Sequence, residues 1–390
     1  MHDSSFQEMK FFVERYLDRS RELSVLDIGS KDVNGSYRRL FDSPNWKYTG
    51  LDLEPGKNVD IVANGPYSYP VADRSFDVVI SGSTLEHVLD MHAFIREAAR
   101  VLTKDGLMCI IAPWTWGQHK HPVDCWRILP DGMRFLLGEI GRLPVLNVHK
   151  NGSDCVGIAG KLQKDLKIVF GAMINDHLRW NMCLKQSEIN YDLHFLANPK
   201  QATKALNQLL ELCEKDGADV AVLTHQDMSY RRGWLDQVKA QLFCLPDSWV
   251  VAGIIGKDLK GNICGKLHDM RIAPVFDTSN LHDFPHEASC FDECCIIVNL
   301  KKGFRFDEGL TGFDLYGTEC VLQAWERGET AWVLDAWAEH YCLRPFTWMP
   351  DDSFKRNYKW LWERFPNAKR IDTTAIGIVQ DREEMEDAVS

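Results

Sequence analysis

Short apolar runs cut off by an acid or a glycine recur along this chain, and helix-spaced segments separate them. Ser24-Val-Leu-Asp-Ile-Gly29, Trp46-Lys-Tyr-Thr-Gly-Leu-Asp52, Phe76-Asp-Val-Val-Ile80 and Gly106-Leu-Met-Cys-Ile-Ile-Ala112 form a first series. Each run is short enough for a strand and too short for a buried helix. Ser83 to Leu102 carries apolar residues at helical spacing with Glu and Arg on its other face, and Tyr37-Arg-Arg-Leu-Phe41 reads as the start of another helix. A second series begins at Asp165: strands over 166–173, 191–198 and 220–224, with helices over 176–186 and 201–215 between them. In the last of these Leu206, Leu209, Leu210 and Cys213 share one face. A strand over 295–299, an acid-rich loop, a helix over 318–327 and a strand over 331–334 follow. Strands alternating with helices build parallel sheets with helices on both faces. Two such series in 390 residues predict two α/β domains, 1–162 and 163–372, with an acidic and frayed tail at 373–390.

Composition narrows the function classes. The formal net charge of −11 disfavours a grip on a phosphate backbone, so no nucleic-acid partner is expected. The 12 cysteines are scattered without a complete zinc quartet, which suits reduced, mostly buried thiols in a cytoplasmic protein. Met1 to Leu17 reads as an amphipathic helix rather than a signal peptide, and no run of 18 apolar residues predicts a membrane span. Oligomeric state is not legible.

Ligands of open α/β sheets bind beyond the carboxyl ends of the strands. In the first series Asp27 and Gly29 stand there, and Asp52 follows 25 residues after Asp27. An acid at that point can accept hydrogen bonds from both hydroxyls of a ribose. The intervening loop, Ser30-Lys-Asp-Val-Asn-Gly-Ser36, is not GxGxxG, which argues against a nicotinamide site. The run "VLDIGSKDVNGSYRRLF … YTGLDLEPGKNVDIV … FDVVISGSTLEHVLDMHAFIREAARVLTKDGLMCIIAP" resembles class I S-adenosylmethionine-dependent methyltransferases of the small-molecule type. The signature of that type runs from Phe-Asp through Glu-His to Arg-Val-Leu-x-x-x-Gly. The resemblance implies a Rossmann-like methyltransferase sheet. It implies that Asp27, Gly29 and Ser30 line the methionine side of S-adenosylmethionine, that Asp52 and Leu53 hold its ribose side, and that Ser81 and Gly82 lie next to the sulfonium. Lys31 stands where the family has a second glycine, and Lys104-Asp-Gly106 replaces the common Pro-Gly-Gly. His119, His121 and Asp124 fall near the expected acceptor site. A histidine there can act as base toward a hydroxyl. The alternative is a lid packed by Pro122 and Trp126. Glu86-His87 either acts at the acceptor in the same way or only caps the following helix and shapes the pocket.

In the second series the strand Val220–Thr224 runs straight into His225-Gln-Asp227. Carboxylates follow at Asp292, Asp307, Glu308, Asp314 and Glu319, and His340 comes after the last strand. "VAVLTHQDMSYRRGWLDQV … FRFDEGLTGFDLYGTECVLQAWERG … AEHYCL" resembles the family 2-like glycosyltransferases with the A-type nucleotide-sugar fold. The resemblance implies that Asp227, His340 and His225 surround a divalent cation, magnesium or manganese, held against the diphosphate of a nucleotide-sugar donor. It gives Glu319 the role of base toward the acceptor hydroxyl. A hard cation neutralises a departing diphosphate, and a carboxylate takes the proton of the attacking hydroxyl. Together the halves imply a bifunctional enzyme, one part transferring a sugar and the other a methyl group, acting on a glycan or glycoconjugate in polysaccharide synthesis. Two alternatives are a glycosyltransferase with a non-catalytic methyltransferase-like binding module, and a nucleic-acid-modifying methyltransferase.

Overall fold

A computed structural model describes residues 3–162, 166–269, 276–277, 285–341 and 351–374. The start of the second series at Asp165 and most of the acidic tail lie outside the described residues. The chain divides into two compact units, Met1–Asp165 and Leu166–Ser390, taken in turn.

The first unit opens with α1 (Asp3–Tyr16). A sheet follows, built from β1 (Leu23–Ile28), β2 (Trp46–Asp52), β3 (Ile61–Val62), β4 (Phe76–Gly82), β5 (Leu102–Pro113), β6 (Val145–Asn151) and β7 (Asp154–Gly160). Their order is β3-β2-β1-β4-β5-β7-β6. The first five strands are parallel, and β7 and β6 return antiparallel as a hairpin. The chain walks outward from β1 to β3, then restarts on the other side of β1 at β4. The switch point therefore lies between β1 and β4, and a crevice opens there beyond their carboxyl ends. Helix α2 (Met91–Val101) covers one face through Phe94, Ile95 and Ala98, which pack with Leu26, Val79 and Ile110. Helix α1 packs on β5 and β7.

Two local expectations differ from the structure. Tyr37–Phe41 does not begin an α-helix; only Arg38–Leu40 makes a 3-10 turn. An Asp32 side chain that accepts from Gly35 N (2.8 Å) fixes a turn before it, and Asp42-Ser43-Pro44 closes it. So short a segment cannot offset the cost of helix nucleation. Tyr37 and Phe41 instead bury their rings beneath the loop. The expected helix from Ser83 also starts late. Asp90 accepts from Ala93 N (2.9 Å) as an N-cap, so α2 begins at Met91, and Leu85–His87 is a separate 3-10 turn. Short α3 (Pro130–Phe135) follows β5 after a long irregular loop, 114–129.

The second unit holds β8 (Ile168–Ile174), α4 (His177–Met182), β9 (Asp192–Ala197), α5 (Ala202–Lys215), β10 (Val220–His225), β11 (Met228–Ser229), α6 (Trp234–Cys244), β12 (Trp249–Gly253), β13 (Ile255–Asp258), β14 (Ile263–Asp269), β15 (Phe276–Asp277), β16 (His286–Phe291), β17 (Cys295–Asn299), α7 (Tyr316–Glu326), β18 (Thr330–Val333), β19 (Ala338–His340) and α8 (Asp352–Arg364). Strands β9, β8 and β10 are parallel neighbours, and β17 pairs antiparallel with β10. The sheet is therefore mixed, not parallel throughout. β17 follows β16 through the tight Asp292–Cys294 turn, where Asp292 accepts from Cys294 N (3.0 Å). Helix α5 lies on β8, β9 and β10 through Leu206, Leu209, Leu210 and Cys213.

Candidate functional site

In the first unit the register sets the crevice. Asp27 stands opposite Gly50 on β2 and Ile80 on β4, and Ile28 opposite Leu51. Asp27, Gly29, Ser30, Asp52, Leu53, Ser81 and Gly82 all lie at, or just past, the carboxyl ends of β1, β2 and β4. Gly29 has φ +80°, and a Cβ there would meet Thr84 Oγ1 at 2.1 Å, so no other residue fits this turn without displacing Thr84. The backbone amides of Gly29 and Ser30 both donate to Leu51 O. Asp52 accepts from Lys31 N (2.9 Å) and Leu53 N (2.7 Å), which fixes its carboxylate at the rim of the crevice. Leu53 is exposed beside it. Ser81 is buried and its hydroxyl donates to Ile28 O (2.8 Å), tying β4 to β1. Gly82 lets the Tyr37 ring approach its backbone; a Cβ there would lie 2.1 Å from the Tyr37 hydroxyl.

Asp27 is 3% exposed and its carboxylate accepts from the Tyr48 hydroxyl. Burial pushes its pKa up to about 7, and the Asp52 charge adds to the rise against the Tyr48 bond. Tyr48 is in turn covered by the Arg38 guanidinium, 4.5 Å from its ring centroid. The signal for Tyr48 in the sequence is weak, because it sits mid-strand on β2 rather than at a strand end.

The loop 114–129 is stitched onto the Leu85–His87 turn. Cys125 N donates to Glu86 O (2.8 Å), Trp126 Nε1 donates to Val88 O (2.7 Å), and His87 Nδ1 bonds Val123 O (2.6 Å). Within the loop Asp124 accepts from His119 N (2.7 Å) and pairs with Arg127 (2.6 Å). The Arg127 bond is the main reason that the Asp124 carboxyl falls well below the usual carboxylate range. His119 is thereby carried against Glu86 and His87, while His121 is exposed at the rim with its ring 6.3 Å from that of His87. Glu86 is 1% exposed, and burial raises its pKa to about 7.

Residues 26–110 match a family model described as a methyltransferase domain. That span lies within the first unit, which is in this part similar to a methyltransferase domain. Its sheet is Rossmann-like. Over 124 residues the chain is 29% identical to 2-methyl-6-phytyl-1,4-hydroquinone methyltransferase 2, chloroplastic, of Oryza sativa subsp. japonica, covering 28% of this chain and 36% of that protein. The chain thus spans about a third of the length of this curated relative. Among solved structures, a putative methyltransferase in complex with the Haloferax volcanii Trm112 activator aligns at 16% identity and TM-score 0.34, over 41% of this chain and 91% of that one. The Burkholderia thailandensis 1,6-didemethyltoxoflavin-N1-methyltransferase, with bound 1,6-didemethyltoxoflavin and S-adenosylhomocysteine, aligns at 16% identity and TM-score 0.34, over 41% and 80%. A S-adenosylmethionine-dependent methyltransferase from Aquifex aeolicus aligns at 18% identity and TM-score 0.30, over 41% and 98%. Among the described residues no helix is long and apolar enough to cross a membrane.

In the second unit, β10 ends at His225, and β11 pairs antiparallel with β19 so that Met228 faces His340. That pairing, with Tyr341 N donating to Asp227 O (2.9 Å), brings residues far apart in sequence together. His225, Asp227 and His340 each offer a ligand atom within 4.8 Å of the others. Asp227 Oδ1 lies 3.5 Å from His340 Nε2, and Oδ2 lies 3.4 Å from Arg179 Nη1. Burial raises the Asp227 pKa, but the His340 bond and the two imidazoles outweigh it and hold the carboxyl at about 2. Tyr316 OH contacts His225 Nε2 (2.9 Å). Arg179 and Tyr316 belong to this centre, and no spacing in the sequence singles them out.

Glu319 is not a member of that cluster. It sits in the first turn of α7, fully buried, and one carboxylate oxygen accepts from Asp307 N (3.2 Å) and from Gln323. Burial lifts its pKa to about 8. A second acid that sequence reasoning passed over is Glu293, which accepts from Leu315 N (2.9 Å). Burial, then the neighbouring Asp292 and Asp314 charges, raise it to about 8.

Proposed function

We propose that the first unit transfers a methyl group from S-adenosylmethionine to a hydroxyl, and that the second transfers a sugar from a nucleotide-sugar donor to a glycan or related acceptor. The observation that carries the reading is the set of polar groups at the carboxyl ends of β1, β2 and β4, inside the span that matches a methyltransferase domain. Asp52 would hold the ribose, and Gly29 and Ser30 would let the cofactor approach the backbone. S-adenosylmethionine supplies an electrophilic methyl group. The chain's own contribution is alignment, which supplies much of the rate of a direct displacement.

For sugar transfer the support is the His225–Asp227–His340 cluster at the end of a parallel strand. Two imidazoles and one carboxylate suit manganese better than magnesium, which takes oxygen ligands. A cation there supplies charge neutralisation for a departing diphosphate. Arg179, beside Asp227, is placed to add positive charge to the same region. Glu319 or Glu293, both held protonated near neutral pH, would have to lose their protons before acting as base.

The test separates the halves. The full chain is incubated with labelled S-adenosylmethionine and a glycan panel, and separately with nucleotide sugars and manganese. Asp52→Ala is expected to remove methyl transfer alone, and Asp227→Ala sugar transfer alone. If both variants keep both activities, the assignments are wrong.

A further inference from the structure

A second cluster of metal-ligating type lies in the first unit, and the methyl-transfer reading does not use it as such. Glu86, His87 and His119 offer ligand atoms within 4.8 Å of one another. Glu86 Oε1 is 3.8 Å from His87 Nε2 and 3.7 Å from His119 Nε2. Those separations are too long for hydrogen bonds. Two atoms bound to one ion at about 2.1 Å each stand about 3.4 Å apart at the tetrahedral angle, so a contraction of a few tenths of an ångström would seat all three.

The tautomers are set for it. His87 Nδ1 bonds the carbonyl oxygen of Val123 (2.6 Å), and His119 Nδ1 bonds that of Gly117 (3.0 Å). A carbonyl only accepts, so both Nδ1 atoms carry the proton. Each Nε2 is left as a lone-pair donor, and both face Glu86 Oε1. Outer groups that orient a ligating imidazole in this way are typical of metal sites. Asp124 Oδ2 lies 3.6 Å from His119 Nδ1 and is itself pinned by Arg127, so the loop that carries His119 is braced from behind.

The independent observation is Glu86. It is 1% exposed, and among the described residues neither carboxylate oxygen accepts a hydrogen bond from beyond its own backbone amide. A buried carboxylate without other donors is costly unless a cation or a proton joins it. The sequence leaves Glu86-His87 open between a role at the acceptor and a cap that also shapes the pocket. The pair caps nothing, because α2 takes Asp90 as its N-cap.

We propose that Glu86, His87 and His119 bind a divalent first-row transition metal, zinc(II) or a close relative, with one carboxylate and two imidazole ligands. Three protein ligands leave a coordination position for an oxygen from outside the protein. The ligand turn begins three residues after β4 ends, beside the crevice. On the methyl-transfer reading above, an acceptor hydroxyl could fill that position and be acidified there. That last step rests on that reading; the site itself does not.

The test uses the full chain carrying Asp227→Ala, which removes the competing cluster of the second unit, and titrates cobalt(II) chloride with zinc(II) as competitor. The expected result is one equivalent of cobalt with visible d–d bands and no thiolate charge-transfer band. Affinity is expected to fall at least tenfold in His119→Ala and Glu86→Gln, and to stay within about twofold in His92→Ala, a histidine outside the cluster. His119 is on a half-exposed loop, so its variant carries the test should Glu86→Gln fail to fold. Binding no tighter than millimolar, a thiolate band, or equal affinity in His119→Ala overturns the proposal. A chain that binds cobalt through these residues yet methylates nothing sinks the reaction reading and keeps the site. Methyl transfer without such binding does the reverse.

Discussion

Asp27→Asn is the sharpest probe of the first unit. The asparagine is close to isosteric, and its Oδ1 can still accept from the Tyr48 hydroxyl. What changes is the charge. The folded-state pKa of Asp27 is about 7 against an ordinary value of 3.8. A carboxyl whose pKa is raised on folding contributes its full stability below the unfolded value and loses it as pH rises through the folded value. Between pH 4 and 7 the folded state holds the proton and the unfolded state does not, so stability falls as pH rises. A rise of roughly three pKa units amounts to about 4 kcal/mol, an upper bound that relaxation of the site reduces. Glu86, in the same unit and also raised to about 7, contributes a parallel loss that the variant keeps. The difference between wild type and Asp27→Asn therefore isolates Asp27. Hydrogen exchange read on peptides from β1 and β4 at pH 5 and pH 8, corrected for intrinsic rates, reports the opening free energy of this unit alone. The wild type is expected to lose stability by several kcal/mol over that interval, and Asp27→Asn to lose less, with the variant the more stable protein at pH 8. Parallel pH curves would refute the argument, and with it the view that burial governs this acid.

Three further outcomes follow from other contacts. Gly29→Ala forces a left-handed backbone on a residue with a Cβ, at roughly 1–2 kcal/mol, and displaces Thr84 as well; a lower melting temperature of the first unit checks it, and an unchanged one refutes the close approach. Glu8 on α1 accepts from His149 Nε2 (2.8 Å) and from Asn151 on β6, and although burial raises its pKa these partners bring it below the usual value. Its contribution is present above the unfolded pKa and lost as pH falls through the folded one, so Glu8→Gln should cost about 1–3 kcal/mol at pH 7 in urea unfolding, and progressively less as the pH is lowered through the folded value. Asn207 on α5 donates to Phe306 O (3.0 Å) and accepts from Phe306 N (2.9 Å), so Asn207→Ala leaves two buried backbone groups unpaired. A loss of about 2–3 kcal/mol is expected, with faster hydrogen exchange across residues 304–311.

What was legible in the sequence follows the strength of the periodic signal. Apolar runs marked β1, β4 and β10 to within a few residues, because burial on both faces leaves little choice of side chain. Helix onsets were less legible. Apolar spacing carried the expected helix back to Ser83, yet a single side chain, Asp90, starts it at Met91, since a satisfied N-cap competes with continued winding. That error hid the second cluster. Read as helix, Glu86 and His87 belong to one amphipathic face. Read as a 3-10 turn, they project under the loop 114–129, where Val123 O and Gly117 O turn two imidazoles toward one carboxylate. His119 lies 33 residues after Glu86, and nothing in either neighbourhood records the path of an irregular loop. The same holds for His225, Asp227 and His340. Their approach depends on β11 and β19, strands of two and three residues, too short to leave an alternating pattern. Residue types at strand ends could be read one by one. Their grouping depends on backbone hydrogen bonds that any side chain could have accompanied, and for that reason it appears only in three dimensions.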